Sequence, residues 1–140
     1  AESGFNECPF IMQICKEDFD AINTAAYEHR ELTLNGDKFI IRPFKDWFDI
    51  LKESREQKHA VAVIAKNRYG IGLDYLFAMR KAEDPETPYI TLEFLCDGRL
   101  SQCRKQHCKP VTEADELAFV EEFRTKILLP YINSKEETEG

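Results

Sequence analysis

An α+β fold is predicted: an antiparallel sheet, made of an N-terminal hairpin and a three-stranded meander, packed against three to four helices. Three observations predict it. Asn35-Gly36 sits between Glu31-Leu32-Thr33-Leu34 and Lys38-Phe39-Ile40-Ile41, and Asn-Gly supplies the two positive-φ residues of a type I′ hairpin turn. Leu73 to Met79, Tyr89 to Leu95 and Arg99 to Arg104 are strand-like runs separated by Glu83-Asp84-Pro85-Glu86-Thr87-Pro88 and by Asp97-Gly98, both of which read as turns. Between and after these runs, apolar residues recur at helical spacing.

Taken in order, Pro9 to Cys15 reads as a short apolar strand, and Lys16-Glu17-Asp18 then opens a helix with Phe19, Ile22 and Ala26 on one face, ending near His29. The hairpin follows. After Pro43, tolerated at a helix start because its missing N–H is not needed there, Phe44, Trp47, Phe48 and Leu51 form an apolar stripe. Lys45, Asp46, Asp49, Lys52 and Glu53 are expected to face water. Lys58 to Tyr69 is too apolar for a surface segment and too rich in alanine for a strand, so it reads as a buried helix or helical turn. Beyond the meander, Thr112 with Asp115 resembles a capping box, and Leu117, Val120, Phe123 and Ile127 make a helical stripe up to Pro130. Residues 1–132 thus read as one globular domain and 133–140 as a disordered polar tail.

Length and composition agree with one ordinary domain. The 140 residues are 43% hydrophobic and 32% charged, with six Gly and six Pro, which excludes collagen-like and disordered classes. Nineteen Lys plus Arg stand against twenty-six Asp plus Glu, a net charge of -7. That balance opposes generic duplex binding but leaves local basic patches open. The longest apolar run, Ala60 to Ala65, is far short of the ~20 residues a membrane helix needs, so no membrane partner is expected. Ala1-Glu2-Ser3-Gly4 has neither the basic nor the apolar part of a secretory signal. Five cysteines, an odd number, read as reduced thiols and point to the cytoplasm.

Few residues offer chemistry. His59 opens the most apolar segment of the chain directly after a charged helix face, a setting that suits a general base and equally a structural histidine at a helix junction. His29 reads as a charge at a helix C-terminus. Cys96, Cys103, His107 and Cys108 carry ligand atoms, but their spacing does not match paired zinc knuckles, so neither a metal nor another cofactor is expected. Arg99, Arg104, Lys105, His107 and Lys109 fall in a stretch without Asp or Glu between Gly98 and Thr112. They read either as a docking strip for a phosphate-bearing ligand or as a cation-protected strand edge. Thr91, Glu93 and Gln102 are polar residues in otherwise apolar strands, and alternation puts Thr91 and Glu93 on one face with Tyr89. That face is either functional or simply solvated.

From Phe39 to Tyr131 the chain resembles the PcfJ-like domain of conjugative plasmids, integrative elements and phages. Ile40-Ile41-Arg42-Pro43 and an acidic helix precede Lys58-His59-Ala60-Val61, which stands where that family has leucine-His-His-Cys-Val. Leu76-Phe77-Ala78-Met79-Arg80, Pro88-Tyr89-Ile90-Thr91-Leu92-Glu93 and Gln102-Cys103-Arg104 follow in the family's order. The His-His-Cys element is Lys58-His59-Ala60 here, so the position of a presumed nucleophile is empty. Ala60 reads as either natural or an introduced replacement for cysteine. Lys105-Gln106-His107-Cys108 replaces the family's Gly-x-x-Asn. Relatives carry further sequence ahead of this domain, so a fragment of a longer protein is expected.

The resemblance implies a mobile-element domain of Cys/His hydrolase or transferase type, inactive as written. His59, Ala60, Glu93 and Gln102 would form its catalytic positions, and Arg80, Thr91, Arg104, Lys105 and His107 would hold a small-molecule or protein substrate. The rival expectation is a non-catalytic module that binds a protein, or a phosphate-containing or single-stranded nucleic-acid ligand, through Arg99, Arg104, Lys105 and Lys109. A third, a zinc-stabilised fold through Cys103, His107 and Cys108, is the weakest because of the spacing.

Overall fold

The computed structural model describes residues 9–26, 32–34, 37–57, 61, 68–69, 73–105 and 109–139. Among them, helix α1 (Pro9–Ala26) leads to β1 (Leu32–Leu34) and β2 (Asp37–Pro43), then α2 (Trp47–Gln57) and β3 (Asp74–Lys81). The chain continues through β4 (Ile90–Leu95), β5 (Leu100–Lys105) and β6 (Lys109–Pro110) to α3 (Ala114–Phe123). A π-helical segment (Arg124–Leu128) then joins α3 to α4 (Leu129–Glu139). The six described strands form one antiparallel sheet in chain order. The fold is α+β, and the hairpin and the meander are parts of one sheet because β2 pairs with β3 across the α2 excursion.

The sheet is covered on both faces, as its burial pattern requires: four successive β4 residues beyond Ile90 are buried on alternating sides. One face presents Phe39, Ile41, Phe77, Met79, Ile90, Leu92, Phe94 and Cys103 to Phe119, Val120, Phe123, Ile127, Leu128 and Ile132 of the C-terminal helical run. The other presents Leu76 and Ala78 to Trp47 and Ile50 of α2, with Phe44, Val61 and Tyr69 filling in. Helix α1 gives Ile22 to the first layer and Cys15 to the second.

Several elements differ from expectation. Pro9 to Cys15 is not a strand but the first half of α1; a short apolar run has no period of its own, and packing on both layers selects the helix. Asp46 caps α2, its Oδ1 accepting the Asp49 N–H at 2.9 Å. The buried stripe of that helix is Trp47, Ile50, Glu53 and Gln57. Phe48 is therefore 50% exposed, and Glu53, expected to face water, is fully inside. Thr112 and Asp115 form no capping box: Glu113 is the cap residue and makes no side-chain cap bond. The helix does not stop at Pro130. The π-helical turn just before it widens the hydrogen-bond ladder where proline lacks an N–H, and the backbone stays helical to Glu139 through most of the stretch expected to be a tail. No described helix is long and apolar enough to cross a membrane.

Candidate functional site

Strand register puts the predicted polar residues on one sheet face. Ala78 pairs with Arg42 and Thr91, Arg80 with Ile40, and Leu76 with Glu93. Across β4, Thr91 pairs with Arg104 and Glu93 with Gln102. Arg42, Arg80, Thr91, Glu93, Gln102 and Arg104 therefore share the side that α2 covers.

Glu53 lies at the centre of this face. Its Oε1 accepts a hydrogen bond from Arg80 Nη2 at 2.6 Å and its Oε2 one from the Thr91 hydroxyl at 2.5 Å. Arg80 Nη1 donates to the Pro85 carbonyl at 3.0 Å. Burial pushes the Glu53 carboxyl above its usual range, against the pull of Arg80 and Thr91. Two more pairs flank the centre. Arg42 binds Asp49 at 2.8 Å. Burial works against the Asp49 carboxylate, but Arg42 and the Lys45 N–H outweigh it and hold its pKa below the usual value. Arg68 grips Asp74 through two bonds at 2.6 and 3.0 Å and stands 3.7 Å from Glu93.

Arg80 and Thr91 thus meet on buried Glu53, while Glu93, on the same face, stands by the partly exposed Arg68. Gln102 and Arg104 continue the same face to β5, where they are half-buried. Other expectations are corrected. Tyr89 is not on this face; it precedes β4 and stacks on Phe39 in the opposite layer at 5.7 Å. Lys105 also belongs to that opposite side, paired with Glu116 at 3.1 Å and lying over the Tyr89 ring, because adjacent strand residues point to opposite faces. Arg99 is engaged by Asp97 at 2.8 Å. The basic strip is accordingly split between two faces and partly neutralised. His59, Ala60, His107 and Cys108 lie outside the described residues; Gln57 and Val61, on either side of the His59 segment, are both buried.

The thiols offer no ready nucleophile among the described buried cysteines. Burial pushes Cys15 up to about 12 and Cys103 up to about 11. No group of three potential metal ligands occurs among the described residues.

A second polar cluster carries no local sequence signal. Asp18 of α1 is buried, and its Oδ2 accepts the Tyr69 hydroxyl at 2.9 Å while its Oδ1 accepts that of Tyr131 at 2.7 Å. It lines a partly open cavity of about 100 Å³ with Ile14, Glu17, Tyr69, Asp74, Tyr75 and Lys135. Its partners are 51 and 113 positions away in the chain, so only the tertiary fold unites them. No family model matches the chain, and no curated protein or solved structure matches it.

Proposed function

We propose that this chain is a non-catalytic binding module, of the PcfJ-like kind met in mobile genetic elements, that receives an anionic, phosphate-bearing group on Gln102 and Arg104. One observation carries the reading. Four arginines reach the α2 side of the sheet, and three of them, Arg42, Arg68 and Arg80, are paired with Asp49, Asp74 and Glu53. Arg104 has no carboxylate partner among the described residues and is partly exposed. Gln102 is two residues away on the same strand face, about 7 Å along it, and its amide adds donors beside the guanidinium. A planar guanidinium suits bidentate recognition of phosphate oxygens. The net charge of -7 opposes generic nucleic-acid binding but leaves a local contact of this kind open, and the free thiols of Cys15, Cys96 and Cys103 favour a cytoplasmic setting.

The test is fluorescence anisotropy with a short labelled single-stranded DNA and, in competition, a free nucleotide. Binding should weaken with salt, and Arg104→Ala should weaken it further and lower the slope of log Kd against log salt by about 0.7 for the lost phosphate contact. Binding that is absent, or indifferent to Arg104, would remove the proposal.

A second reading, a Cys/His hydrolase or transferase silenced at Ala60, is favoured by one observation: Arg80, Thr91, Glu93 and Gln102 do share a face, in the layer where Gln57 and Val61 are buried. Ala60→Cys decides it. A thiol there that alkylates well below the ordinary pKa of about 8.5, and loses that reactivity when His59 is replaced, supports the enzyme reading; an inert thiol rejects it.

A further inference from the structure

The Asp18 cavity is built from residues the phosphate shelf does not use. Asp18 is 2% exposed, and its two tyrosine donors leave one lone pair on each carboxylate oxygen. Asp74, on the same wall, is matched by Arg68. Asp18 has no ammonium or guanidinium within ion-pair distance among the described residues; Lys135 acts on it only through space and does not offset the cost of burial. A cation stands near by. Lys135 Nζ lies 5.3 Å from the Tyr75 ring centroid and 5.2 Å from that of Tyr131, and the two rings meet edge to face at 6.1 Å. Aromatic walls of this kind hold an ammonium by attraction to the ring face. Glu17, Asp18 and Asp74 set against Lys135 and Arg68 leave the surroundings one negative charge in excess. Space of about 100 Å³ in this partly open cavity takes a few waters or a short aliphatic cation.

We propose that this cavity is a binding site for a primary alkylammonium group, carried by a small amine or by a lysine side chain, with Lys135 as the resident cation at its mouth. Two of the three N–H donors of such a group meet the two unused lone pairs of Asp18, and its alkyl stem lies along Ile14 and Tyr75. Lys135 occupies the ring faces without pairing with the carboxylate, so an incoming ammonium displaces it.

The experiment is a titration followed by amide NMR shifts at Asp18, Tyr69, Tyr75 and Tyr131, with ethylammonium chloride in one arm and a lysine-containing peptide in the other. Sodium chloride of equal ionic strength is the control. Saturable shifts at these residues are expected, with binding about tenfold tighter in Lys135→Ala if the mouth is free in about a tenth of wild-type molecules. Saturation by the small amine alone assigns a free amine as ligand, and saturation by the peptide alone assigns a partner's lysine. Asp18→Asn, folded by its own spectrum, should bind neither. Absence of saturable shifts in both wild type and Lys135→Ala, equal shifts with sodium chloride, or retained binding in folded Asp18→Asn would each overturn the proposal. Should Asp18→Asn not fold, wild type and Lys135→Ala decide alone: tighter binding in Lys135→Ala supports the proposal, and equal or weaker binding overturns it.

Discussion

Arg80 and Glu53 meet at 2.6 Å with side chains 1% and 0% exposed, joining the centre of the sheet to the middle of α2. Such a pair gains little over an apolar contact of the same shape, but half of it is far worse than none. Arg80→Met should therefore lower unfolding stability by about 3–5 kcal/mol, because Glu53 is left buried without its counter-charge. The double replacement Arg80→Met with Glu53→Leu should regain most of that loss. Urea unfolding of the three proteins checks both statements, and a double variant as unstable as the single one would show that the network does more than fill space.

Gly98 is required by both its backbone and its surroundings. Its φ is +95°, and a Cβ there would run into Leu129 Cδ2 and approach Ile132 Cδ1. Gly98→Ala should cost about 1–3 kcal/mol from overpacking alone, with added strain from the left-handed backbone. Thermal unfolding checks it, and Leu129→Ala in the same chain should relieve part of the loss.

The legible parts of the fold are those whose signal is local. The two strands expected on either side of Asn35-Gly36 pair antiparallel, with Leu34 opposite Asp37, and the Asp97-Gly98 turn precedes β5. Alternation in β4 also separates Thr91 and Glu93 from Ile90, Leu92 and Phe94, as found. What failed depended on distant partners. Glu53 reads as a surface charge because its cation, Arg80, is 27 residues away, and burying it turns Phe48 outward. The Asp18 cluster was unreadable for the same reason: an acid at the start of an amphipathic stretch looks solvated until Tyr69 and Tyr131 are placed over it. Pro130 gave the usual stop signal, which a π-helical turn overrides.

Thiol reactivity should rank by burial. Cys96 is exposed, whereas Cys15 and Cys103 are buried and pushed up to about 12 and about 11. At about pH 8, near the ordinary thiol value, alkylation followed by peptide mapping should label Cys96 quickly and the other two only on unfolding. Rapid native-state labelling of Cys15 would mean that the layer beneath α2 opens readily.

Asp18 should leave a pH signature of opposite sign to that of an ion-paired carboxylate. Burial pushes its pKa above the ordinary 3.8, and the Tyr131 and Tyr69 hydroxyls only partly restore it. As pH rises, the unfolded chain loses this proton first, so between the two values the folded chain binds more protons and stability falls. The contribution is fully present below about 3.8 and is lost as pH climbs through the folded value. Asp18→Asn carries no such proton. The stability of wild type minus that of Asp18→Asn, from urea unfolding across the acid range to neutrality, should decline through this window and then level off. Tyr131→Phe removes one donor to the carboxylate and should move the window to higher pH. A difference that does not vary with pH would mean that Asp18 titrates alike in the folded and unfolded chains.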